Sequence, residues 1–193
     1  MPERTLSMPL SRGAPTLPRL TLVLGGARSG KSAYAETLIE EASPRAIYLA
    51  TAEVLDEEMA ARIRHHRARR GAGWTTIEAP LDLIPHLRGD PPFRIGQPIL
   101  VDCLTLWLSN LYEAGRVIET EIDTLLAALD AAPSPVVMVA NEVGLGIVPE
   151  NALARAFRDS AGRLNQAIAA RAERVVFLAA GCPLILKDAK GVS

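Results

Sequence analysis

The chain has 193 residues, 49% of them hydrophobic and 22% charged, and its 21 basic and 22 acidic residues give a formal net charge of −1. Such a length and composition favour one soluble globular domain and exclude a largely disordered chain. The balanced charge argues against a globally basic nucleic-acid-binding protein, while a local basic patch stays possible. Two cysteines, Cys103 and Cys182, are too few for a disulfide framework or a cysteine-rich zinc site, and we interpret both as small buried hydrophobic residues.

Residues 1–19 are predicted to form a flexible N-terminal arm, because they contain four prolines and show no hydrophobic period. The same prolines interrupt any apolar signal segment. No run of about 18 uncharged apolar residues is present, so we expect no membrane-spanning helix. The expectation is a cytoplasmic protein in which residues 20–193 form a single domain.

Beyond the arm, short runs rich in valine, isoleucine and leucine alternate with helical patterns. Strands are predicted at residues 20–24, 46–50, 74–79, 98–102, 136–140 and 174–179. Helices are predicted at residues 32–41, 56–70 and 151–172. This alternation predicts right-handed βαβ units, and therefore an α/β fold whose mostly parallel sheet carries helices on both faces.

The clearest motif is GGARSGKS, residues 25–32, which matches the G-x-x-x-x-G-K-[ST] phosphate loop between a strand and a helix. Its glycines allow backbone N–H groups to surround phosphate oxygens, and the following helix adds its positive N-terminal dipole. Lys31 is expected to reach the β- and γ-phosphates, and Ser32 to hold Mg²⁺. The motif and its flanking elements together predict a P-loop NTPase fold of the RecA-like kind.

Asp102 ends the predicted strand 98–102, and ligands of open parallel sheets lie at the carboxyl ends of the strands. A carboxylate there can hold a Mg²⁺-bound water or polarise an acceptor hydroxyl, although a simple strand-end or helix-capping aspartate fits the same pattern. Thr105, on the same loop, is interpreted as a possible helix cap. The sequence therefore offers Asp102 as a second metal-site residue beside Ser32.

Two adjacent histidines lie in an arginine-rich stretch, RIRHHRARR, residues 62–70. On a helix, His66 falls within roughly 40° of the apolar stripe of Met59 and Ile63, whereas His65 points roughly 140° away from it. One interpretation is a solvated basic helix with incidental histidines. The other is a nucleophilic histidine beside arginines that bind phosphates, in which case His65 faces the ligand.

Five segments together closely resemble the bifunctional adenosylcobinamide kinase/adenosylcobinamide-phosphate guanylyltransferase family of cobalamin biosynthesis. They are GGARSGKS (25–32), AIYLATAEVLDEEMAARIRHHRARR (46–70), WTTIEAP (74–80), ILVDCLTLWLSNL (99–111) and NEVGLGIVPENALARAFRDSAGRLNQAIA (141–169). The likeness runs from about Leu20 to Lys187 with the segments in the family's order. The arm and the Pro/Gly-rich stretch 89–98 depart from the family without touching a motif.

The resemblance implies two reactions with GTP and ATP as substrates and Mg²⁺ as cofactor. The first phosphorylates the aminopropanol hydroxyl of adenosylcobinamide. In the second, GTP guanylylates an enzyme histidine, which matches His65 here, and cobinamide phosphate then takes the GMP group to give adenosyl-GDP-cobinamide. The resemblance also implies a homotrimer with sites between subunits and catalytic roles for His65 and Lys31. The near-neutral charge leads us to expect no nucleic-acid partner.

The resemblance further implies a set of nucleotide-binding residues. These are Gly25, Gly26, Ala27, Arg28, Ser29, Gly30, Lys31, Ser32, Ala50, Thr51, Ala52, His66, Arg67, Ala68, Arg69, Glu78 and Asp102. Glu78 matches an acidic residue near the guanine, whose N1–H and N2–H₂ edge a carboxylate can bind, but a plain strand-end charge fits equally. Some members carry glutamate where this chain has Asp102, which shortens the reach to a metal by one methylene.

Further polar residues follow the predicted strand 136–140 at the ligand edge. Asn141 and Glu142 can contact substrate or simply belong to a loop that leads to a helix capped by Asn151. Arg155 and Arg158 on that helix are interpreted as solvated. Two other functions stay open: a P-loop small-molecule kinase or NTPase without guanylyltransferase activity, and a recombinase-like ATPase, which the near-neutral charge disfavours.

Overall fold

Seven strands form one sheet in the computed structural model, which describes residues 16–53, 57, 70–90 and 95–189. The strands are β1 (Leu20–Gly25), β2 (Ala46–Ala50), β3 (Trp74–Glu78), β4 (Ile99–Asp102), β5 (Val136–Asn141), β6 (Arg174–Ala179) and β7 (Cys182–Asp188). The helices of the described part are α1 (Lys31–Glu40), α2 (Ile84–Arg88), α3 (Leu104–Glu113), α4 (Ile118–Asp130) and α5 (Ala152–Arg171). The helix predicted at 56–70 lies almost wholly outside the described residues.

The order of strands across the sheet is β3-β2-β4-β5-β1-β6-β7. Every pairing is parallel except that of β6 with β7, so the predicted mostly parallel sheet is confirmed. All six predicted strands are present within one or two residues of their predicted bounds. Helices α2, α3 and α4 occupy stretches for which the sequence analysis specified no helix.

The hydrophobic core lies on both faces of the sheet, because successive side chains of a strand point to opposite faces. On one face, Trp107 of α3, Leu164 of α5 and Leu22 of β1 belong to one buried cluster. On the other face, Ile39 of α1 and Val23, the next residue of β1, belong to a second buried cluster. The predicted placement of helices on both faces is therefore confirmed.

The edge strand β7 was not predicted. Its sequence CPLILKD contains Pro183, and six of its seven residues are exposed, so neither alternation nor burial marks it as a strand. It pairs antiparallel with β6 through the tight turn at Ala180 and Gly181, which both have positive φ. Cys182 opens this strand and is exposed, so its interpretation as a buried hydrophobic residue is wrong, whereas Cys103 is buried as predicted.

The last residues of the predicted arm contact the rest of the chain. Pro18 is buried and Leu17 packs beside the core. Arg19 donates from its backbone nitrogen to Glu173 at 2.8 Å and from its guanidinium to the carbonyl of Leu129 at 2.9 Å. Ordered contacts with the sheet therefore begin before Leu20.

In the described part of the chain, no helix is both long and apolar enough to cross a membrane.

Candidate nucleotide-binding site

The carboxyl ends of the parallel strands bring most of the predicted site residues to one edge of the sheet. Gly25 at the end of β1 pairs with Asn141 of β5. Ala50 at the end of β2 pairs with Asp102 of β4 on one side and with Glu78 of β3 on the other. This edge is where open parallel sheets bind their ligands.

The phosphate loop connects β1 to α1 and depends on two glycines with positive φ. Gly25 has φ 151°, and a Cβ there would lie 2.4 Å from the carbonyl oxygen of Leu178. Gly30 has φ 95° and directly precedes the first turn of α1. The loop is also held from outside, since the nitrogen of Gly181 donates to the carbonyl of Ser29 at 2.9 Å. The predicted loop geometry is therefore built by residues 25–32 with help from the β6–β7 turn.

Lys31 is buried inside this loop, with 7% of its surface exposed. Its ammonium nitrogen donates to the carbonyl oxygen of Gly26 at 2.6 Å and lies 3.4 Å from Oγ of Ser29. Burial lowers the pKa of Lys31 from its ordinary value, while the nearby Asp102 carboxylate opposes that shift. A cation held in this way by one carbonyl and one hydroxyl can exchange them for phosphate oxygens when a nucleotide binds.

Asp102 is half-buried at the end of β4, and its Oδ2 atom accepts a hydrogen bond from the hydroxyl of Tyr48 at 2.9 Å. Burial, reinforced by the Asp102 carboxylate, raises the pKa of Tyr48 far above its ordinary value, so the phenol stays protonated and donates. Among the described residues, no hydrogen bond reaches the other carboxylate oxygen of Asp102. Sequence reasoning missed Tyr48, although it is the single polar side chain in the buried strand AIYLA.

Thr51, which follows β2, is hydrogen-bonded to Cys103, the residue after Asp102. Its buried hydroxyl donates to the carbonyl of Cys103 at 2.8 Å and accepts from the Cys103 nitrogen at 2.7 Å. The carbonyl of Thr51 accepts from the amide of Asn110 on α3 at 2.8 Å. The predicted nucleotide-binding residue Thr51 thus has a structural role in the described part of the chain, and the Asp102–Cys103 peptide bond that it adjoins is cis.

We expect Thr51→Val to destabilise the fold, because valine keeps the volume but leaves the buried N–H of Cys103 without an acceptor. The Cys103 carbonyl loses the Thr51 hydroxyl but still accepts from the backbone nitrogen of Trp107 at 3.1 Å. One unsatisfied buried group costs about 1–3 kcal/mol, and the free energy of unfolding from urea titration should fall by about that amount. Thr51→Ser keeps the hydroxyl and serves as the control, and equal stability of the valine variant and the native chain would show that these bonds contribute nothing.

Thr105 is not a helix cap as interpreted from sequence, since Cys103 occupies the capping position of α3. Its hydroxyl instead accepts a hydrogen bond from the backbone nitrogen of Asn141 at 2.7 Å. This bond crosses from the end of β4 to the end of β5. Thr105 therefore sets the spacing of two strand ends at the ligand edge.

The other predicted contact residues lie at the rim. Glu78 is exposed at the end of β3, and Ala52 follows Thr51 beyond β2. Because β2 separates β3 from β4, Glu78 and Asp102 lie two strand positions apart, roughly 10 Å across the sheet. This spacing leaves room for a nucleotide base at Glu78 and a triphosphate at Asp102 and the phosphate loop.

The histidine pair and its neighbours, His65, His66, Arg67, Ala68 and Arg69, lie outside the described residues. The next residue, Arg70, is described. Its guanidinium carbon lies 3.5 Å from the centroid of the Tyr48 ring, and Nη1 lies 3.7 Å from Oε1 of Glu36 on α1. Arg70 is the last residue of the stretch 62–70 that contains the two histidines, which we call the histidine segment. The end of this segment therefore contacts the same tyrosine that is bonded to Asp102.

The loop between β5 and α5 makes contacts of its own. Glu142 donates its backbone nitrogen to the carbonyl of Gly25 at 3.1 Å and accepts from Gly144 at 2.6 Å. Asn151 caps α5 by accepting from the backbone nitrogens of Leu153 and Ala154, which confirms the capping interpretation. Asn141 and Glu142 thus border the phosphate loop.

The two arginines near the start of α5 are partly buried and bonded, not simply solvated. The Arg155 guanidinium donates to the carbonyls of Pro149 and Glu150, and that of Arg158 contacts its neighbour Asp159. Arg155 in particular folds the preceding loop back onto the helix.

Within the described residues, no group of three or more histidine, cysteine, aspartate or glutamate side chains could hold a metal ion.

Comparison with known proteins places these features in a family. Residues 21–186 match the model of the family described as cobinamide kinase / cobinamide phosphate guanyltransferase. The bifunctional adenosylcobalamin biosynthesis protein CobP of Pseudomonas aeruginosa is 49% identical over 168 residues, which cover 86% of this chain and 96% of that protein. The bifunctional adenosylcobalamin biosynthesis protein CobU of Salmonella typhimurium is 44% identical over 183 residues, with 87% and 99% covered.

Solved structures confirm the fold class at low sequence identity. A protein from Pyrococcus horikoshii OT3 superposes with a TM-score of 0.53 at 9% identity, covering 91% of this chain and 89% of that one. A prototypical ATPase from the type III secretion system of pathogenic bacteria superposes with a TM-score of 0.51 at 12% identity, covering 84% and 51%. Such distant likeness shows the P-loop NTPase fold alone. The family match and the two close relatives show more: the chain belongs to the cobinamide kinase / cobinamide phosphate guanyltransferase family of cobalamin biosynthesis.

Proposed function

We propose that this chain phosphorylates adenosylcobinamide and then transfers GMP from GTP to the product through a guanylyl intermediate on His65. The observation that carries the proposal is the phosphate loop with buried Lys31, set at the same sheet edge as Asp102 and Glu78. Membership of the family supplies the two reactions. The HH pair supplies a nucleophile that simple P-loop kinases do not need.

In the kinase step, the aminopropanol hydroxyl of adenosylcobinamide attacks the γ-phosphorus of ATP or GTP. The bond from the γ-phosphorus to the bridging oxygen breaks, and the nucleoside diphosphate leaves. Lys31 and the N–H groups of residues 25–32 neutralise the charge that develops on the phosphoryl oxygens. The hydroxyl proton passes to a base, for which Asp102 stands at the correct edge of the sheet.

The residues present fit a magnesium ion at the triphosphate. Mg²⁺ prefers oxygen ligands, and it is usually held by one or two protein oxygens together with substrate phosphates and water. Ser32 at the start of α1 and the carboxylate oxygen of Asp102 that Tyr48 leaves open are such ligands. When bound, the ion neutralises charge on the β- and γ-phosphates.

In the guanylyl step, a ring nitrogen of His65 attacks the α-phosphorus of GTP, and pyrophosphate leaves. The resulting phosphoramidate is then attacked by a phosphate oxygen of adenosylcobinamide phosphate, which frees His65 and gives adenosyl-GDP-cobinamide. The imidazole must be neutral to attack, and the surrounding arginines favour that neutral form and screen the anionic substrate. His66 is proposed to orient its neighbour, while Arg67 to Arg69 bind nucleotide.

Glu78→Gln should erode the preference for GTP over ATP in the guanylyl step. The carboxylate offers two acceptors to the guanine N1–H and N2–H₂ edge, whereas the amide presents one donor and one acceptor. We expect the discrimination to fall by about 1–3 kcal/mol, measured as the ratio of kcat/KM for the two nucleotides.

Glu119→Gln on α4 removes an exposed charge elsewhere and is the matched control for that experiment. Unchanged selectivity together with lower stability in the Glu78 variant would show that Glu78 is structural.

We further propose a homotrimer with sites between subunits, as the family resemblance implies. Large apolar side chains are exposed beside the phosphate-loop edge, at Leu145, Ile147, Val148 and Leu153. Exposed apolar surface of this kind marks interaction sites. Light scattering of the purified chain should give three times the mass of the monomer, and a monomer at micromolar concentration would contradict the proposal.

The proposed function is tested by supplying adenosylcobinamide with ATP, GTP and Mg²⁺ and identifying products by mass. We expect adenosylcobinamide phosphate first and adenosyl-GDP-cobinamide later, with pyrophosphate released. Accumulation of the phosphate alone, with GTP binding confirmed, would favour a kinase without guanylyltransferase activity.

A further inference from the structure

A buried series of polar side chains runs from the phosphate-loop site to the end of the histidine segment. Asp102 is bonded to Tyr48 at 2.9 Å, and the Arg70 guanidinium lies 3.5 Å from the Tyr48 ring centroid. Arg70 in turn lies 3.7 Å from Glu36 on α1, the helix that begins at Lys31. The series therefore links the end of β4 to the helix that follows the phosphate loop, and it passes through Arg70.

The Arg70–Glu36 pair is removed from water. The two side chains are only 4% and 7% exposed, respectively. Burying two charges is costly, and a buried ion pair is weak evidence for added stability. A guanidinium placed over an aromatic ring and beside a carboxylate is, however, held in a defined position. The pair is thus better suited to fixing the end of the histidine segment than to stabilising the fold.

Tyr48 is itself held on a second side. Its ring meets that of Trp74 edge-on, with centroids 6.2 Å apart and planes at 78°. The indole nitrogen of Trp74 donates to Glu40 on α1 at 2.8 Å. Because Trp74, Arg70 and Asp102 all contact Tyr48, its hydroxyl has little freedom to leave the carboxylate.

We propose that Tyr48 and Arg70 are positioning residues that hold Asp102 and the end of the His65 segment in fixed relation to the phosphate loop. Tyr48 donates to one carboxylate oxygen of Asp102 and leaves the other to the cation that accompanies the triphosphate. Arg70, five residues after His65 in the sequence, anchors that segment on Tyr48 and α1. The second role rests on the proposed function, since it takes His65 as the nucleophile.

Tyr48→Phe tests the first role, because it keeps the ring under Arg70 and removes only the hydroxyl. The affinity for GTP is measured by calorimetry with and without Mg²⁺. The ratio of the two affinities should be about tenfold smaller in the variant than in the native protein. Affinity without the metal and the melting temperature should change little. Tyr112→Phe, which removes a hydroxyl bonded to Ser160 away from this site, is the control. An unchanged Mg²⁺ dependence in the Tyr48 variant would overturn this role.

The double variant Glu36→Gln/Arg70→Gln tests the second role while leaving no buried charge unpaired. Covalent labelling by α-labelled GTP should slow by about tenfold or more, because a misplaced nucleophile loses its near-attack geometry. Kinase turnover should stay within about threefold, since that step uses no histidine. Arg174→Gln/Asp188→Asn removes a 3.0 Å ion pair between β6 and β7 and should leave the labelling rate unchanged.

If the double variant does not fold, Arg70→Lys provides the same comparison, because it keeps the charge and removes the planar group on Tyr48. Labelling at the native rate in the folded variant would overturn the role of Arg70 while the proposed function stands. A native protein that takes up no label would instead contradict the proposed function, and the second role with it.

Discussion

Lys31→Ala should reduce both reactions by about a hundredfold or more, because each begins from a triphosphate held in the phosphate loop. Lys31 is the buried cation of that loop, with its ammonium group enclosed by the carbonyl of Gly26 and the hydroxyl of Ser29. Its removal leaves the transition-state charge on the β- and γ-phosphates without its main protein counter-charge. Steady-state kcat of the kinase step and the rate of pyrophosphate release measure the two effects.

Lys187→Ala is the matched control for that experiment. Lys187 also donates to two backbone carbonyls, those of Ala169 and Ala170, but it is exposed on the edge strand β7. We expect this variant to keep native turnover in both steps. Native kinase turnover in Lys31→Ala would show that the loop is not the triphosphate site of the kinase.

His65→Asn should abolish covalent labelling from α-labelled GTP, because asparagine offers no basic nitrogen to attack phosphorus. Kinase turnover should largely persist, since direct γ-phosphoryl transfer needs only positioning and charge stabilisation. The expected result is thus a protein that forms adenosylcobinamide phosphate but no adenosyl-GDP-cobinamide. Labelling and kinase assays on one preparation measure both outcomes.

His66→Ala is the control for the choice between the two histidines. Because the sequence predicts that His66 faces the apolar stripe of a helix, its substitution should lower activity or stability without removing the label. Label retained in the His65 variant and lost in the His66 variant would reverse the assignment and the helix phase behind it.

Local patterns were enough to predict the parts of the site that lie within single segments. The phosphate loop was predicted because its glycines, Lys31 and Ser32 have fixed spacing between a strand and a helix. Asp102 was placed at the ligand edge because strand ends meet there in parallel sheets. These inferences need only the order of elements and the direction of each strand.

Contacts between distant segments were not predictable in the same way. Tyr48 resembled a core residue of a buried strand, and only the pairing of β2 with β4 brings its hydroxyl to Asp102. Thr105 was taken for a cap, yet it bonds to Asn141 across the sheet. Strand β7 was missed, and Cys182 with it, because an exposed edge strand containing proline has neither the burial nor the alternation that predicts strands.

We propose that His65 of this phosphate-loop enzyme carries a guanylyl group between GTP and the cobinamide phosphate. The direct test is incubation of the native protein with α-labelled GTP and Mg²⁺, followed by peptide mapping of the label. We expect one labelled peptide, modified at His65, with a bond that is labile in acid and stable in base, as phosphoramidates are. Label on any other residue, or no label where GTP binding and Mg²⁺ are confirmed, would contradict it.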